Sequence, residues 1–255
     1  MKRVLAIAAA GAVLAATFTI ARPARALELG TPATEHPFKS AQNFALELRF
    51  SPYTPQIDEE PGLTTKPYAS TFGGSRLMLS AEFDWQVLRI PSLGTIGPGV
   101  GVGYTSMSAN AVTTSGRPSG DETSLSIYPF WGVAVLRADT FYRNLGFPLV
   151  PYVKAGLGYA LWTASNTGGT SEAKDRTGAL VSGKGSSWGT QFALGVAFAL
   201  DAIDRGASRN MDNATGINST YVFIEAYWLS LNGLGSANSL RVGSNTWAMG
   251  LAFEF

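Results

Sequence analysis

SNTWAMGLAFEF, from Ser244 to Phe255, is the stretch at the end of the chain that decides its fold. Large apolar residues occupy every second position, and small or polar residues fill the positions between them. Only a β-strand with two unlike faces has this period of two. The stretch therefore predicts a strand whose apolar face carries Trp247, Met249, Leu251, Phe253 and Phe255.

This ending resembles the C-terminal assembly signal of bacterial outer-membrane β-barrels, in which the last strand alternates aromatic and aliphatic residues and closes on phenylalanine. The resemblance implies that the apolar set acts as a barrel-assembly signal and meets the barrel-assembly machinery during biogenesis. A soluble β-sandwich strand with one buried face shows the same period, so the rest of the chain must decide between the two folds.

The N-terminus has the organisation of a secretory signal peptide. A basic start, Met1-Lys2-Arg3, precedes an apolar run over residues 4–20 and an A-x-A site at 24–26. We expect residues 1–26 to be a signal peptide and residues 27–255 to form one outer-membrane β-barrel domain. The chain has no cysteine, which excludes disulfides and thiolate metal sites.

The mature chain is mildly acidic. Removing residues 1–26 takes away four basic residues and no acid, so the charge falls from +1 to −3, with 15 basic against 18 acidic residues. This balance gives no reason to expect nucleic acid as a partner.

Alternating segments continue through the whole mature chain. No other run approaches the roughly 20 apolar residues of a membrane helix, and the only other fold that satisfies every backbone group in lipid is a closed barrel. The segments predict an all-β, eight-stranded antiparallel up-and-down transmembrane β-barrel, and an even number suits a single-chain barrel. The predicted strands are 42–50, 76–87, 95–107, 122–136, 149–163, 187–200, 219–231 and 245–255.

The connections between these strands alternate in length. Long polar loops at 51–75, 108–121 and 164–186 follow strands one, three and five, whereas strands two and four end in short turns. With both termini in the periplasm, this asymmetry is typical of outer-membrane barrels. The connection at 201–218 is long on the periplasmic side, and the outward face of strand seven is left open. Aromatic residues near strand ends suit interface girdles or, alternatively, a sandwich core; they are Trp85, Tyr104, Trp188, Trp228, Trp247 and Phe255.

The opening strand supports the same fold by resemblance. Residues 45–50, ALELRF, continued by PYTP at 52–55 and by Ile57-Asp58, resemble the first strand of a family of outer-membrane β-barrel proteins of myxobacteria and their relatives. The last strand is similar as well. Because that family has no established biochemical activity, the resemblance implies a small eight-stranded barrel and a location, and brings over no site.

The interior of an eight-stranded barrel is just wide enough to be filled by side chains. Inward glycines leave space, and the aromatic residues predicted to occupy it are Tyr128, Phe130 and Tyr152, with Tyr221, Phe223 and Tyr227 if that face of strand seven is inward. Because small residues face large ones, the pattern predicts a packed plug rather than a wide pore.

Charged residues also alternate onto the inward faces. A charge buried there must be paired or reach water, so we expect an ion-pair network in the lumen; a narrow polar path or a ligand site is the alternative. The predicted members are Glu47, Arg49, Glu82, Asp84, Lys154 and Glu225, with Glu254 at the end of the last strand.

Little in the sequence indicates catalysis or a cofactor. The one histidine, His36, precedes the first strand, and Gly97 to Gly103 alternate along a strand rather than forming a nucleotide loop. Asp58-Glu59-Glu60 form an acidic triplet that is solvated or binds a cation or lipopolysaccharide. We therefore predict no catalytic, cofactor or metal residues and a non-enzymatic envelope protein that contacts outer-membrane lipids and lipopolysaccharide. The alternative is a narrow channel or transporter for small or hydrophobic molecules.

Overall fold

Eight long antiparallel strands form the sheet, each paired with its neighbours in chain order. The computed structural model describes residues 27–28, 43–112, 118–174, 178–236 and 239–255. The predicted signal peptide and His36 lie outside the described residues. The strands are β1 Phe44–Tyr53, β2 Arg76–Trp85, β3 Gly94–Val112, β4 Pro118–Arg137, β5 Leu149–Asn166, β6 Lys184–Ala199, β7 Ser219–Ser230 and β8 Ser244–Glu254.

The first and last strands close the sheet into a barrel. β1 and β8 pair from Ala45 opposite Glu254 to Phe50 opposite Met249. The Phe255 carbonyl oxygen accepts hydrogen bonds from the Asn43 and Phe44 amides at 3.1 and 2.9 Å. The predicted eight-stranded antiparallel up-and-down barrel is therefore confirmed.

The strands differ in length around the barrel. β3 to β6 contain 19, 20, 18 and 16 residues, whereas β1, β2, β7 and β8 contain 10, 10, 12 and 11. Much of the predicted loop at 108–121 is strand, with Asn110 opposite Glu122 in the ladder; residues 113–117 lie outside the described residues. The outward residues there are polar, so the hydrophobic period ends before the hydrogen-bonded ladder does.

The connections after β1, β5 and β7, which we call extracellular because the loop lengths predict that side, contain short elements. Between β1 and β2 lie a 3-10 helix, Gln56–Glu59, and helix α1, Pro67–Thr71. Between β5 and β6, the short strand Gly169–Thr170 pairs with β5, and Glu172–Lys174 pairs with Leu180–Ser182. A 3-10 turn, Gly233–Gly235, lies between β7 and β8.

The connections after β2, β4 and β6, at the opposite end, which we call periplasmic on the same prediction, carry two further helices. Leu88–Ile90 pairs with β3 and, in parallel, with Leu27–Glu28. Helix α2, Thr140–Leu145, joins β4 to β5. A 3-10 turn, Leu200–Ala202, and helix α3, Arg205–Thr215, join β6 to β7 and account for the length of this connection. Among the described residues, no helix has the length and apolar character to cross a membrane.

The outer surface of the barrel is apolar. Its exposed side chains include Leu48, Phe50, Leu79, Val100, Val102, Leu157, Phe192, Leu194, Ile224, Met249 and Leu251. A contiguous apolar belt on a closed sheet is the surface that an outer-membrane barrel presents to lipid. In β7, Val222 and Ile224 are exposed whereas Tyr221 and Phe223 are buried, which settles the face that the sequence left open.

Aromatic rings mark the edges of this belt. Tyr104 and Tyr128 lie 5.0 Å apart between ring centroids, and Tyr159 and Trp188 lie 4.7 Å apart. The outward residues that follow Tyr104, at positions 106, 108 and 110, are Ser, Ser and Asn. Tyr104 therefore lies near the end of the apolar belt although β3 continues. At the periplasmic edge, the Phe255 ring lies within 6.0 to 6.4 Å of other aromatic rings, those of Phe44 and Phe83.

One part of the predicted interior is wrong. Tyr128 and Phe130 are exposed on the outer surface, and the inward residues of β4 include Trp131, Val133 and Val135. Both faces of β4 are apolar there, so a period of two could not show which face was inward.

Candidate functional site

Ionic side chains from five strands meet inside the barrel. β1 contributes Glu47 and Arg49, β2 contributes Glu82 and Asp84, β4 contributes Arg137, β5 contributes Lys154 and β7 contributes Glu225, and all of them are buried. We call this set the lumen network. Its four carboxylates and three cations give a net charge of −1 if all are ionised.

Lys154 and Arg49 lie at the centre of the lumen network. The Lys154 Nζ lies 2.7 Å from Glu47 Oε2, 2.6 Å from Glu82 Oε1 and 3.8 Å from Glu225 Oε2. The Arg49 guanidinium contacts the same three glutamates, at 2.7, 2.7 and 3.2 Å. Each of these glutamates is thus shared between at least two cations, which compensates the cost of burying the charges.

Arg137 is the member that the sequence reasoning missed. It is the last residue of β4, is only 2% exposed, and bridges Glu47 and Asp84, with 2.6 Å between its Nη2 and Asp84 Oδ2. The sequence places it beside a polar connection, which suggested a solvent-facing turn. The predicted inward acids outnumber the predicted inward cations, which are Arg49 and Lys154. This imbalance was the signal that the network contains another cation.

Aromatic side chains enclose the lumen network. The Trp131 indole donates to Glu82, and the Tyr152 hydroxyl donates to Glu225 Oε2 at 3.0 Å. The Arg49 guanidinium lies 5.6 Å from the Trp131 ring centroid, and the Lys154 ammonium lies 4.9 Å from that of Tyr152. These contacts hold the cations by cation–π attraction as well as by ion pairs.

Three carboxylates of the lumen network stand at a spacing that a metal ion could use. Ligand oxygens of Glu47, Glu82 and Asp84 lie within 4.8 Å of one another. Arg137 bridges Glu47 to Asp84, however, and Lys154 bridges Glu47 to Glu82. Cationic side chains thus fill the role that a bound cation would have.

The extracellular half of the lumen is apolar. Side chains from the barrel wall form a buried cluster with Tyr68 of α1 and with the β7–β8 connection, against which Ile57 and Phe72 also pack. The wall residues include Tyr53, Met78, Met107, Leu125, Ile127, Tyr227 and Leu229. The first and last extracellular connections thus cover the mouth of the barrel, and we call them together the loop cap.

The acidic triplet of the first loop is engaged within the loop cap. Asp58 accepts hydrogen bonds from the Tyr68 and Ala69 amides, at 2.7 and 2.9 Å, at the start of α1. Glu59 accepts from the Gln56 side chain at 3.1 Å, and Glu60 lies 3.3 Å from Arg241 in the last extracellular loop. Asp58 and Glu60 therefore join separate parts of the loop cap, whereas the contact of Glu59 is local to its own turn.

Tyr68 anchors the loop cap through its hydroxyl, which donates to the Gly74 carbonyl oxygen at 2.9 Å. Burial raises the pKa of this hydroxyl; the positive charge of Arg76 opposes the shift, and the negative charge of Asp58 adds to it. Tyr68 therefore stays a neutral hydrogen-bond donor in this setting.

Glu254 lies apart from the lumen network, at the periplasmic end. Its carboxylate accepts hydrogen bonds from the Gln86 side chain at 2.8 Å and from the Tyr221 hydroxyl at 2.9 Å. Tyr142 of α2 packs against the apolar cluster beside it, which includes Tyr152, Tyr221 and Phe223. This end of the lumen is therefore also filled.

A small cavity separates the lumen network from the apolar cluster above it. Its lining includes Arg49, Ser80, Gln191, Glu225 and Tyr227. Its volume is about 10 Å³, counted as the space that the centre of a water molecule can occupy. A cavity of this size has room for about one water. The cavity is too small for a solute.

No protein-family model matches the chain, and no curated protein matches it. Among solved structures, the chain is similar to the outer membrane protein OprG from Pseudomonas aeruginosa, with 11% identity, a TM-score of 0.46, and coverage of 85% of this chain and 97% of that chain. It is also similar to the outer membrane protein W of E. coli, with 15% identity, a TM-score of 0.40, and coverage of 85% and 99%. A third similar structure is the outer membrane enzyme PagL, with 15% identity, a TM-score of 0.39, and coverage of 82% and 99%.

Because these identities and scores are low, we assign the location from the chain's own structure. The sheet is closed, its exterior carries a lipid-facing apolar belt, and its interior holds a buried ionic network between clusters of apolar side chains. Only a closed sheet of this kind satisfies all backbone groups of strands in lipid. The chain is an integral β-barrel protein of the outer membrane.

Proposed function

We propose that this protein is a non-enzymatic barrel that serves the cell envelope as a structural or surface-interaction protein. The observation that supports this proposal is that, among the described residues, buried side chains occupy the upper, central and lower parts of the lumen. The loop cap and apolar cluster lie above the lumen network, and the aromatic cluster beside Glu254 lies below it. A barrel filled in this way exposes its loops and outer wall as its working surfaces.

The lumen network supports a structural role. Its carboxylates and cations are buried and paired with one another, and the cavity above them has room for only about one water. A path for solutes would need a continuous water-filled space beside these charges. We infer that the network ties β1, β2, β4, β5 and β7 together across the lumen.

The absence of catalysis is part of the same proposal. PagL shows that enzymes occur among outer-membrane barrels, so the fold alone does not decide the matter. The buried Glu82 and Asp84 are each engaged by a cation of the chain, Lys154 and Arg137 respectively. A general acid or base must reach a substrate, and these carboxylates contact buried cationic side chains instead.

The proposed partners follow from the outer surfaces. The apolar belt contacts outer-membrane lipids, and the extracellular loops with the polar upper parts of β3 and β4 contact lipopolysaccharide. The barrel-assembly machinery recognises the alternating residues from Trp247 to Phe255 during biogenesis. The likeness of residues 45–58 to a barrel family of myxobacteria and relatives belongs to this proposal and adds no activity to it.

Single-channel conductance tests the filled lumen. Purified protein is inserted into planar lipid bilayers, and a gel shift on boiling of the same preparation verifies that the barrel is folded. We expect no stepwise conductance, because the lumen network and the clusters around it leave no continuous aqueous path. Reproducible conductance steps from folded protein would overturn the proposal and favour the narrow channel or transporter.

A further inference from the structure

Large apolar side chains are exposed at the periplasmic rim, below the barrel wall. Phe141, Leu145 and Phe147 lie in the β4–β5 connection and are 48%, 74% and 55% exposed, and Ile203 in the β6–β7 connection is 73% exposed. We call these residues the rim collar. Exposed apolar patches on one side of a protein mark a surface that contacts lipid or another protein.

Helix α2 is fixed in one orientation on the rim. Phe141 and Leu145 are four residues apart and so lie on one side of the helix. Tyr142 packs against the apolar cluster that fills the periplasmic end of the lumen. Arg143 lies on the side away from Phe141, and its Nε is 3.8 Å from Asp139 Oδ2. The helix therefore presents one apolar and one charged side while Tyr142 anchors it.

The rim collar is continuous with the lipid-facing wall. Phe147 precedes β5, whose Leu149 lies opposite Phe198 of β6. The Ala199 amide donates to the Pro148 carbonyl oxygen at 2.8 Å, which joins the end of β6 to the β4–β5 connection directly below this strand pair. The apolar surface of the barrel thus passes without a polar gap from β5 and β6 onto the β4–β5 connection.

We propose that the rim collar inserts into the inner leaflet of the outer membrane, with lipid acyl chains as its occupant. Apolar residues of interfacial helices lie about 5–10 Å into the boundary between headgroups and acyl chains. Arg143 then faces the headgroups or water. The inference rests on the outer-membrane location and goes beyond the proposed function, because it gives the periplasmic rim a lipid-binding role that does not depend on the lumen.

Site-specific fluorescence quenching tests the rim collar. Because the chain has no cysteine, Leu145→Cys and Arg143→Cys each provide one labelling site on α2. Each variant is labelled with a small environment-sensitive fluorophore and reconstituted into phosphatidylcholine vesicles with or without bromine atoms on the acyl chains. We expect brominated lipid to cause a marked loss of fluorescence at position 145 and little loss at position 143.

Thr190→Cys, on the outer face of β6 between Trp188 and Phe192, is the control for a label that faces lipid. Quenching at position 190 without quenching at position 145 would overturn the rim collar while leaving the barrel and its filled lumen intact. If brominated lipid does not quench the label at position 145 but a periplasmic extract changes its fluorescence, the rim collar would instead be a surface that docks a protein. Conductance steps would refute the filled lumen and leave this result unchanged.

Discussion

Lys154 is the residue on which the lumen network depends most. It is fully buried, and its ammonium group lies within 2.7 Å of both Glu47 and Glu82. Breaking a buried ion pair by removing one partner typically costs about 3–5 kcal/mol, because the remaining charge is left uncompensated. We expect Lys154→Leu to lower the temperature at which the folded band in detergent converts to the unfolded band on a gel.

The matched control is Lys184→Leu, which removes an exposed lysine at the start of β6. Surface charges contribute little to stability, so this variant should unfold near the wild-type temperature. Equal unfolding temperatures for Lys154→Leu and the wild type would place Lys154 outside the interactions that hold the strands together.

Gly101 tests how tightly the interior is packed. A methyl group at this position would overlap the Trp131 indole, which donates to Glu82. Overpacking of an interior typically costs about 1–3 kcal/mol. We expect Gly101→Ala to lower the unfolding temperature and to change the near-ultraviolet circular dichroism of tryptophan.

Gly132 supplies the comparison for that substitution, since it lies beside Trp131 on the outward face and a methyl group there meets no atom within 4 Å. Gly132→Ala should leave both the spectrum and the unfolding temperature close to those of the wild type. If the two alanine variants behave alike, the packing around Trp131 is looser than the structure shows.

At the residue scale, the sequence located most inward charges but not every member of the lumen network. The period of two placed Glu47, Glu82 and Lys154 on inward faces because their neighbours in the chain are apolar. Arg137 was missed because it ends a strand beside a polar connection, where the period stops. The aromatic residues of β4 were assigned to the wrong face because both faces are apolar.

At the scale of single elements, α1 depends on an acid from a distant part of its loop. Asp58 accepts the Tyr68 and Ala69 amides at the start of the helix. Loss of such a cap costs about 0.5–2 kcal/mol. We expect Asp58→Ala to loosen the loop cap locally, so that residues 54–75 are cut faster by proteinase K while the barrel still unfolds near its wild-type temperature.

Glu59→Ala is the control, because Glu59 is exposed and its described hydrogen bond is to the side chain of Gln56, three residues earlier in the chain. Its cleavage rate should stay near that of the wild type. Equal protection of the loop in both variants would show that packing of Tyr68 and Phe72, rather than the cap, holds α1 in place.

Strands could be predicted from the sequence wherever apolar, lipid-facing residues occupy every second position. All eight strands were found, because alternation is obligatory in a wall with lipid on one side. The upper parts of β3 and β4 and the helices α1 to α3 were not, because their outward residues are polar or their order comes from contacts remote in the chain. The pairing of Glu60 with Arg241 is such a contact.

At the scale of the whole molecule, the closure of the sheet into a barrel could be predicted from features of short stretches of sequence. The even number of strands and the alternation of long and short connections were both readable in the chain and leave few topologies other than a barrel. A lumen filled by side chains could be predicted in general terms, since eight strands enclose little space. Its layered arrangement required the register between strands, which hydrophobic patterns do not specify.

Because the strands differ in length, the barrel wall is taller on one side than on the other. β4 has 20 residues and β1 has 10, and at about 3.4 Å per residue the difference is roughly 34 Å of strand. The additional strand residues lie beyond Tyr104 and Tyr128, where the apolar belt ends. The upper parts of β3 to β6 therefore extend outside the lipid. A neighbouring molecule on the cell surface therefore meets the polar ends of long strands on the side of β3 to β6, and the loop cap on the side of the shorter strands β1, β2, β7 and β8.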